Sequence, residues 1–219
     1  MNKRIIIHVG LAKTGTTFLQ NEIFPKLPIN YTRDIILTKI NVNNEINLIS
    51  NEGLSISIPH YVPFHTDRIV ILDYIKNLFP NAEIMIGMRE LNDSLINSYY
   101  SQFLRNGGVL KKKVYIERFG RFFTDYKDYL NAIEDKFDSV FIYRYGDFKR
   151  GLHKVICKIC DFIEVDEPAY ENKIVHSSYK PYQQETKRKL NYLCKSFYHK
   201  KGIIPIGLLN KTLEDLRDG

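Results

Sequence analysis

The segment from Ile5 to Gln20 constrains the fold of this chain more than any other stretch of its 219 residues. An apolar, β-branched run ends at Gly10, and a Lys-Thr-Gly-Thr-Thr turn that begins at Lys13 leads into residues with helical spacing. This order is typical of a buried strand followed by a loop and a helix N-terminus, where backbone N–H groups and the helix dipole attract an anion. The segment therefore predicts an α/β fold with a phosphate-type ligand at its first loop.

The position of the lysine separates this loop from ordinary ATP-binding loops. A Walker A loop has the pattern G-x-x-x-x-G-K-[ST], in which lysine directly follows the second glycine. Here Gly10 and Gly15 have that spacing, but Thr16 stands at the lysine position and Lys13 precedes the second glycine. The loop is predicted to bind a phosphate-type group, but not as the loop of an ordinary ATPase does.

Apolar runs alternate with helix-period segments through most of the chain. Strands are predicted over Arg4–Val9, Asp34–Thr38, Leu54–Ile58, Ala82–Met88 and Ser139–Tyr143. Helices are predicted over Thr16–Phe24, near Val42–Ile49, from Thr66 or Asp67 to Leu78, and over Asp93–Leu104, Thr124–Lys136, Leu152–Ile163 and Pro181–Tyr198. The alternation predicts a P-loop-type three-layer α/β domain, with a central, mainly parallel sheet flanked by helices. We expect a single domain over residues 1–219, because no repeat or low-complexity linker interrupts the pattern.

Composition and charge restrict the binding partners and the cellular compartment that we expect for this chain. The formal net charge of +7 favours anionic partners, but no nucleic-acid-binding module is recognisable, so nucleic acid is not expected among them. No stretch approaches the ~20 apolar residues of a membrane span. The apolar run after Lys3 and Arg4 is too short for the core of a signal peptide. With three cysteines and no disulfide framework, the expected compartment is a reducing cytoplasm.

Two of the cysteines form a C-x-x-C motif. Cys157 and Cys160 lie in a segment whose apolar residues recur at helical spacing. No second pair of cysteines or histidines accompanies them to complete a zinc site. We therefore interpret both as buried helix residues and expect no metal site in the chain.

A second candidate phosphate receptor follows the predicted strand Ala82–Met88. Arg89 stands at the end of that strand, and Ser98 lies in the helix that comes next. Ligands of α/β sheets bind at the carboxyl ends of strands, and an arginine fork beside a hydroxyl group suits a phosphate. A salt bridge from Arg89 to Glu90 or Asp93 is the structural alternative.

Together the two elements resemble the signatures of sulfotransferases that use 3′-phosphoadenosine 5′-phosphosulfate (PAPS). Lys13–Thr17 is similar to the 5′-phosphosulfate loop of that family, and Arg89 with Ser98 is similar to its 3′-phosphate site. The pattern around the first loop is similar to bacterial members, many of which act on carbohydrates. Three wider segments look like family segments: His8–Gln20, Tyr100–Gly107 and Val140–Phe148.

The resemblance implies a PAPS-dependent sulfotransferase with a hydroxyl or amine acceptor, on a small molecule or a glycan. Lys13 would stabilise the leaving phosphate, and a metal would not be required. The family's serine tends to lie at the position that Asn97 occupies, so both Asn97 and Ser98 are candidates for the 3′-phosphate contact. The implied nucleotide-binding residues are Lys13, Thr14, Gly15, Thr16, Thr17, Arg89, Ser98 and Lys180.

Sulfuryl transfer to a hydroxyl group also needs a general base near the sulfur atom. Glu52 is the leading candidate, because similar Ser-x-Glu segments occur in bacterial relatives. His60 and His65 are the alternatives, since histidine is the base in the small-molecule branch of the family. His8, inside the first predicted strand, is interpreted as a core residue.

The alternative function is a P-loop kinase that phosphorylates a small molecule with ATP. The position of Lys13 and the lack of an obvious Walker B aspartate argue against it. The sequence predicts neither the identity of the acceptor nor the oligomeric state.

Overall fold

The structure is a computed structural model of the chain, and it describes residues 3–11, 13–33, 45–55, 68–119, 126–171, 179–195 and 204–206. The strands among these residues are β1 (Arg4–His8), β2 (Asn30–Thr32), β3 (Ile46–Ser50), β4 (Glu83–Met88), β5 (Val140–Arg144), β6 (Cys194–Lys195) and β7 (Ile204–Pro205). The α-helices are α1 (Thr16–Phe18), α2 (Arg68–Leu78), α3 (Asp93–Arg105), α4 (Lys112–Phe119), α5 (Tyr126–Lys136), α6 (Tyr145–Ile163) and α7 (Pro181–Asn191).

The chain divides into two compact units. The first comprises Met1–Glu90 with Thr124–Val175, and the second comprises Leu91–Phe123 with His176–Gly219. The expected single domain over residues 1–219 stays a prediction.

The first unit is built on a five-stranded sheet in which all neighbouring strands are parallel. The spatial order of the strands is β2-β3-β1-β4-β5. Because the strands are parallel, all five carboxyl ends meet at one edge of the sheet, and this is where ligands of open α/β sheets bind.

The core of the first unit lies between this sheet and its helices. In β1, Ile6 and Ile7 are fully buried, as expected for a parallel strand that is covered on both faces. Helix α6 contributes an apolar stripe that includes Val155, Ile159 and Ile163. Each fully buried side chain of this size stabilises the fold by about 1.5–3 kcal/mol. The expected mainly parallel sheet flanked by helices is confirmed.

The helix that follows β1 is irregular. Helix α1 continues as a π-helix over Leu19–Ile23 and as a 3₁₀-helix over Phe24–Lys26. The whole run begins at Thr16 as predicted, but it ends at Lys26 rather than Phe24, because Pro25 is accommodated in the 3₁₀ turn.

The second unit contains helices α3, α4 and α7. The Asn92 side chain caps α3 by accepting a hydrogen bond from Leu95 N at 3.0 Å. Tyr115 of α4 packs on Phe103 of α3, with ring centroids 4.9 Å apart. Asn191, at the end of α7, donates from Nδ2 to the Leu104 carbonyl oxygen at 2.7 Å. The same carbonyl also accepts from Gly107 N at 3.0 Å, so the end of α3 and the end of α7 are held together through it.

Four sequence-based element predictions differ from the structure by more than two residues, and one of them concerns α6, which begins at Tyr145 rather than Leu152. The helix predicted near Val42–Ile49 is wrong, because Ile46–Ser50 forms β3, and short apolar runs fit helix and strand periods equally well. The strand predicted from Leu54 is wrong at its start, since Glu52–Ser55 forms a 3₁₀-helix. The last helix ends at Asn191 rather than Tyr198. The strand predicted over residues 34–38 lies outside the described residues.

Within the described part of the chain, no helix has both the length and the apolar character needed to cross a membrane.

Candidate functional site

The loop after β1 has an unusual backbone. Lys13 has a φ of 68° and Gly15 a φ of 91°, so both lie in the left-handed region. This region suits glycine, but it costs a residue with a Cβ atom about 1–2 kcal/mol. The strain at Lys13 therefore marks the loop as a candidate functional element.

Two threonine side chains brace this loop from the protein interior. Thr14 and Thr16 are both buried. Thr14 Oγ1 donates to the Leu11 carbonyl oxygen at 2.5 Å and lies 3.3 Å from Thr16 Oγ1. Both hydroxyls also hydrogen-bond to Tyr143, whose pKa is raised by burial. The loop is thus tied to the carboxyl-terminal half of β5.

A close approach at Gly87 permits these contacts. A Cβ atom on this β4 residue would lie 2.5 Å from the Tyr143 hydroxyl and 2.6 Å from Thr14 Oγ1. Position 87 therefore requires glycine, because any Cβ atom there would overlap Tyr143 and Thr14.

We expect Gly87→Ala to destabilise the protein by about 1–3 kcal/mol, because the added methyl group displaces Tyr143 or Thr14 in a close-packed region. Urea unfolding followed by circular dichroism measures the change. Gly146→Ala is the matched control, since the nearest atom to its new Cβ, at 3.7 Å, is at the end of the flexible Arg150 side chain. Equal stability of the two variants would contradict the prediction.

His8 lies beneath the site as a structural residue. Its Nδ1 is 2.7 Å from Ser50 Oγ, and its Nε2 is 2.8 Å from the Tyr143 hydroxyl. Burial lowers the pKa of His8 to about 3, so the imidazole is neutral at pH 7. The interpretation of His8 as a core residue is confirmed.

A hydrogen-bonded chain links the ends of β2 and β3. Gln20 Nε2 donates to Ser50 Oγ at 3.0 Å, and Gln20 Oε1 accepts from Arg33 Nη2 at 2.9 Å. Ser50 ends β3 and Arg33 directly follows β2. This network positions Arg33 close enough to influence the carboxylate of Glu52.

Glu52 lies at the loop, in the first position of the 3₁₀-helix after β3. Its carboxylate accepts a hydrogen bond from Thr16 and interacts electrostatically with Lys13 and Arg33. Burial is the largest influence and raises the pKa of Glu52, while the charge of Lys13 is the largest influence in the opposite direction. The fold thus brings the predicted base and the predicted loop lysine together.

Arg89 is also tied to the loop. Its Nη1 donates to the Lys13 carbonyl oxygen at 3.0 Å. Its guanidinium carbon lies 4.3 Å from the ring centroid of Tyr145, the first residue of α6. This stacking fixes the plane of the guanidinium group beside the loop.

Several residues at this site were not predicted to be part of it. Tyr143, Tyr145 and Phe148 surround the loop from the β5 side, and a Cβ on Gly15 would lie 3.4 Å from the Phe148 ring. Arg33 approaches from the β2 side. The aromatic run at the end of β5 was the available signal for the first three, whereas nothing in the sequence around Arg33 distinguishes it.

The remaining predicted residues are placed as follows. Thr17 follows Thr16 in α1 and is partly buried. Ser98 and Lys180 belong to the second unit. Ser98 Oγ donates to the Ser94 carbonyl oxygen at 2.9 Å, and Lys180 is exposed at the N-cap of α7. The Asn97 side-chain oxygen accepts from Lys112 Nζ at 2.5 Å. His60 and His65 lie outside the described residues.

The arrangement in the first unit suits an anionic ligand. Lys13 and Arg33 act electrostatically on the Glu52 carboxylate, and Arg89 is hydrogen-bonded to the Lys13 backbone, so these three cations outnumber that carboxylate among the described residues of the site. They follow β1, β2 and β4, and Glu52 follows β3, so all four stand at the carboxyl edge of the sheet. Such a site can bind phosphate-type groups, stabilise negative charge on a leaving group and accept a proton.

Comparison with known proteins gives one family. A family model described as the sulfotransferase domain matches residues 3–203. The resemblance expected from the sequence is thereby confirmed. None of the curated proteins matches the chain.

Two solved structures are similar in fold. A sulfotransferase from Alicyclobacillus acidocaldarius has a TM-score of 0.54 and 13% identity, over 88% of this chain and 94% of the bacterial one. The mouse sulfotransferase SULT7A1 complexed with PAP has a TM-score of 0.53 and 18% identity, over 77% of this chain and 60% of the mouse one. At these identities the likeness concerns the fold, and the predicted P-loop-type α/β class is confirmed.

Proposed function

Because the chain belongs to the sulfotransferase domain family, we propose that it transfers a sulfuryl group from PAPS to a hydroxyl or amine acceptor and releases 3′,5′-ADP. The observation that carries the proposal is the convergence of Lys13, Glu52 and Arg89 at the carboxyl edge of one parallel sheet. We further propose a carbohydrate or glycoconjugate acceptor, which rests on the likeness of the first loop to bacterial family members that act on carbohydrates.

The residues of the first unit fit PAPS as a ligand. The excess of Lys13, Arg33 and Arg89 over the Glu52 carboxylate favours a polyanion, and the helical run that begins at Thr16 presents backbone N–H groups to a 5′-phosphate. PAPS supplies an activated sulfuryl group attached to a phosphate leaving group. In this role Lys13 stabilises the charge that develops on the leaving phosphate, and Gly15, Thr16 and Thr17 hold that phosphate through their backbone.

Glu52 takes the proton of the acceptor in this proposal. Burial raises the pKa of the carboxylate, which makes it a stronger base. The charge of Lys13 acts in the opposite direction and favours the ionised form that can accept a proton. The same carboxylate hydrogen-bonds to Thr16, which holds it against the loop. A base at this position removes the acceptor proton beside the phosphate-binding loop, where the sulfuryl group would be held.

We propose that Arg89 binds the 3′-phosphate; contacts from Ser98 or Asn97 and from Lys180 stay predictions. For Arg89 the support is its position at the end of β4 and its fixed guanidinium plane. For the other three the support is the family resemblance.

Calorimetry with two nucleotides tests the donor site. The wild-type chain should bind 3′,5′-ADP, and more tightly than 5′-AMP, because only the former carries the 3′-phosphate. Incubation with PAPS and mixed sugars should then release 3′,5′-ADP. A folded chain that binds no 3′,5′-ADP, or that instead phosphorylates an acceptor with ATP and Mg²⁺, would contradict the proposal in favour of the kinase alternative.

Arg89→Met sharpens this test. If Arg89 binds the 3′-phosphate, the variant should lose about 10-fold or more in affinity for 3′,5′-ADP, equal to 1.4 kcal/mol, and much less for 5′-AMP. If Arg89 only braces Lys13, Arg89→Met should instead lower the affinity for both nucleotides equally. Arg105→Met is a control, because its guanidinium stacks on Tyr179 within the second unit.

We also propose that the reaction needs no metal ion and takes place in a reducing cytoplasm. A carboxylate that lies beside Lys13 and Arg33 is a poor donor set for a hard metal ion, and the three cysteines are free thiols in the structure. Turnover that persists in excess chelator supports the first point, and loss of turnover would contradict it.

A further inference from the structure

A second cluster of reactive side chains lies on α6 and the segment after it. His153, Cys157 and Glu167 place one ligand atom each within 4.8 Å of one another. Cys157 Sγ lies 3.6 Å from His153 Nε2 and 3.3 Å from Glu167 Oε2. We propose that these three residues form a binding site for Zn²⁺, separate from the candidate sulfotransferase site and independent of the proposed function.

The fold brings the three residues together through the end of α6. His153 and Cys157 are four residues apart on one face of the helix. Glu164 then adopts a left-handed φ of 66°, and Val165 N donates to the Cys160 carbonyl oxygen at 3.1 Å. This Schellman-type ending reverses the chain, so that Glu167 returns alongside the helix.

The helix end itself is held from β1. Arg4 Nη1 donates to the Ile163 carbonyl oxygen at 2.8 Å, and Arg4 also forms an ion pair with Glu83 of β4. Arg4 thus anchors the end of α6, which the segment with Glu167 follows, to the sheet. The cluster therefore belongs to the packed framework of the first unit.

The donor set matches zinc. Thiolate, imidazole and carboxylate are the ligands that Zn²⁺ takes in proteins, and hard cations prefer oxygen alone. Zn–S and Zn–N bonds of about 2.3 and 2.0 Å in a tetrahedron require a sulfur-to-nitrogen distance of about 3.6 Å. The Cys157 Sγ to His153 Nε2 distance of 3.6 Å agrees with that geometry. Three protein ligands leave the fourth position to water.

The surroundings support the ligands. Glu167 Oε1 lies 2.9 Å from His153 Nδ1, so the carboxylate and the imidazole are already in contact without an ion, and the carboxylate would leave Nδ1 to coordinate Zn²⁺ beside Nε2. Tyr170 hydrogen-bonds to Glu167. A partner such as Tyr170 behind a metal ligand holds that ligand in place and strengthens binding.

The sequence interpretation of the C-x-x-C motif is correct for one cysteine and wrong for the other. Cys160 is buried in the core, as expected, but Cys157 is partly exposed. In the proposed site Cys157 therefore acts together with His153, one helical turn earlier, and Glu167, beyond the helix, and not with Cys160. The H-x-x-x-C spacing from His153 to Cys157 was the available signal.

Metal titration of the reduced full-length chain tests the site. With a chromophoric chelator as competitor, one Zn²⁺ should bind per chain, and Co²⁺ should give thiolate-to-metal charge-transfer absorption and the visible bands of a tetrahedral ion. His153→Asn, Cys157→Ser and Glu167→Gln should each weaken Zn²⁺ binding. For Cys157→Ser we expect a loss beyond about 100-fold, since the loss of a surrounding partner alone costs 10–100-fold.

Two matched variants serve as controls. Cys160→Ala removes a thiol from the same helix, and Glu164→Gln removes a carboxylate from the same turn, and neither should change Zn²⁺ affinity. Zn²⁺ should also raise the melting temperature of the wild type and of both controls, but not of Cys157→Ser. The proposal is overturned if the wild type shows no stoichiometric binding, or if the ligand variants bind Zn²⁺ as the controls do. Because His153 is an exposed side chain, His153→Asn gives this answer even if Cys157→Ser folds poorly.

Discussion

Replacing Lys13 by methionine should lower the rate of sulfuryl transfer by about 100- to 1,000-fold, the usual effect of removing one group that stabilises developing negative charge. Lys13 is held at the carboxyl end of β1 by the hydrogen bond from Arg89 to its carbonyl oxygen. Methionine keeps the length of the side chain and removes only the charge. Steady-state kcat, measured as 3′,5′-ADP released from PAPS with an acceptor in excess, provides the test.

Two controls separate this effect from damage to the fold. Lys26→Met removes an exposed lysine from the end of the same helical run and should leave kcat unchanged. Lys13→Gly removes the charge and also relieves the left-handed φ of 68°. That variant should be as inactive as Lys13→Met and more stable than the wild type by about 1 kcal/mol. Wild-type turnover in Lys13→Met would remove Lys13 from the mechanism.

The loop around Lys13 was predictable from the sequence because all of its information is local. A strand, a glycine at a fixed spacing and a helix start lie within one short segment, so periodicity and turn chemistry predict it directly. The position of Arg89 was predictable for the same reason, since the apolar run before it identifies a buried strand and therefore a strand end.

The contacts around the loop were not predictable, because they depend on strand order. Tyr143 reaches Thr14 because β5 lies beside β4, and Arg33 reaches Gln20 because β2 lies at the far side of β3. Strand order follows from the packing of the whole sheet and not from any one segment. The same limit explains β3, whose apolar residues satisfy a helical spacing as well as a strand in a buried sheet.

Glu52→Gln should lower kcat by about 100- to 10,000-fold, the range that general-base catalysis contributes. Glutamine has nearly the same shape and can still accept the hydrogen bond from Thr16, but it cannot take a proton. Glu45→Gln is the matched control, because Glu45 is an exposed carboxylate just before β3. If Glu52→Gln keeps wild-type turnover, the base is another group, and His60→Ala and His65→Ala are the next variants to measure.

The pH dependence of activity gives a second test of the same residue. Burial raises the pKa of Glu52 above its ordinary value of 4.5, and only the deprotonated carboxylate can act as a base. The wild-type rate should therefore rise with pH along a limb that lies above pH 4.5, and Glu52→Gln should lack that limb. A limb that persists in the variant belongs to a different group.

Stability should respond to the same substitution in the opposite direction. A carboxyl group whose pKa is higher in the folded state binds its proton more tightly there than in the unfolded chain. Its contribution to stability is complete below the unfolded pKa and is lost as the pH rises through the folded pKa. At pH 7 the wild type therefore bears the cost of a partly buried carboxylate that Glu52→Gln avoids. The variant should be less active but more stable at pH 7, with the gain disappearing near pH 4 in urea unfolding, whereas a glutamate that only stabilised the loop would lose stability when replaced.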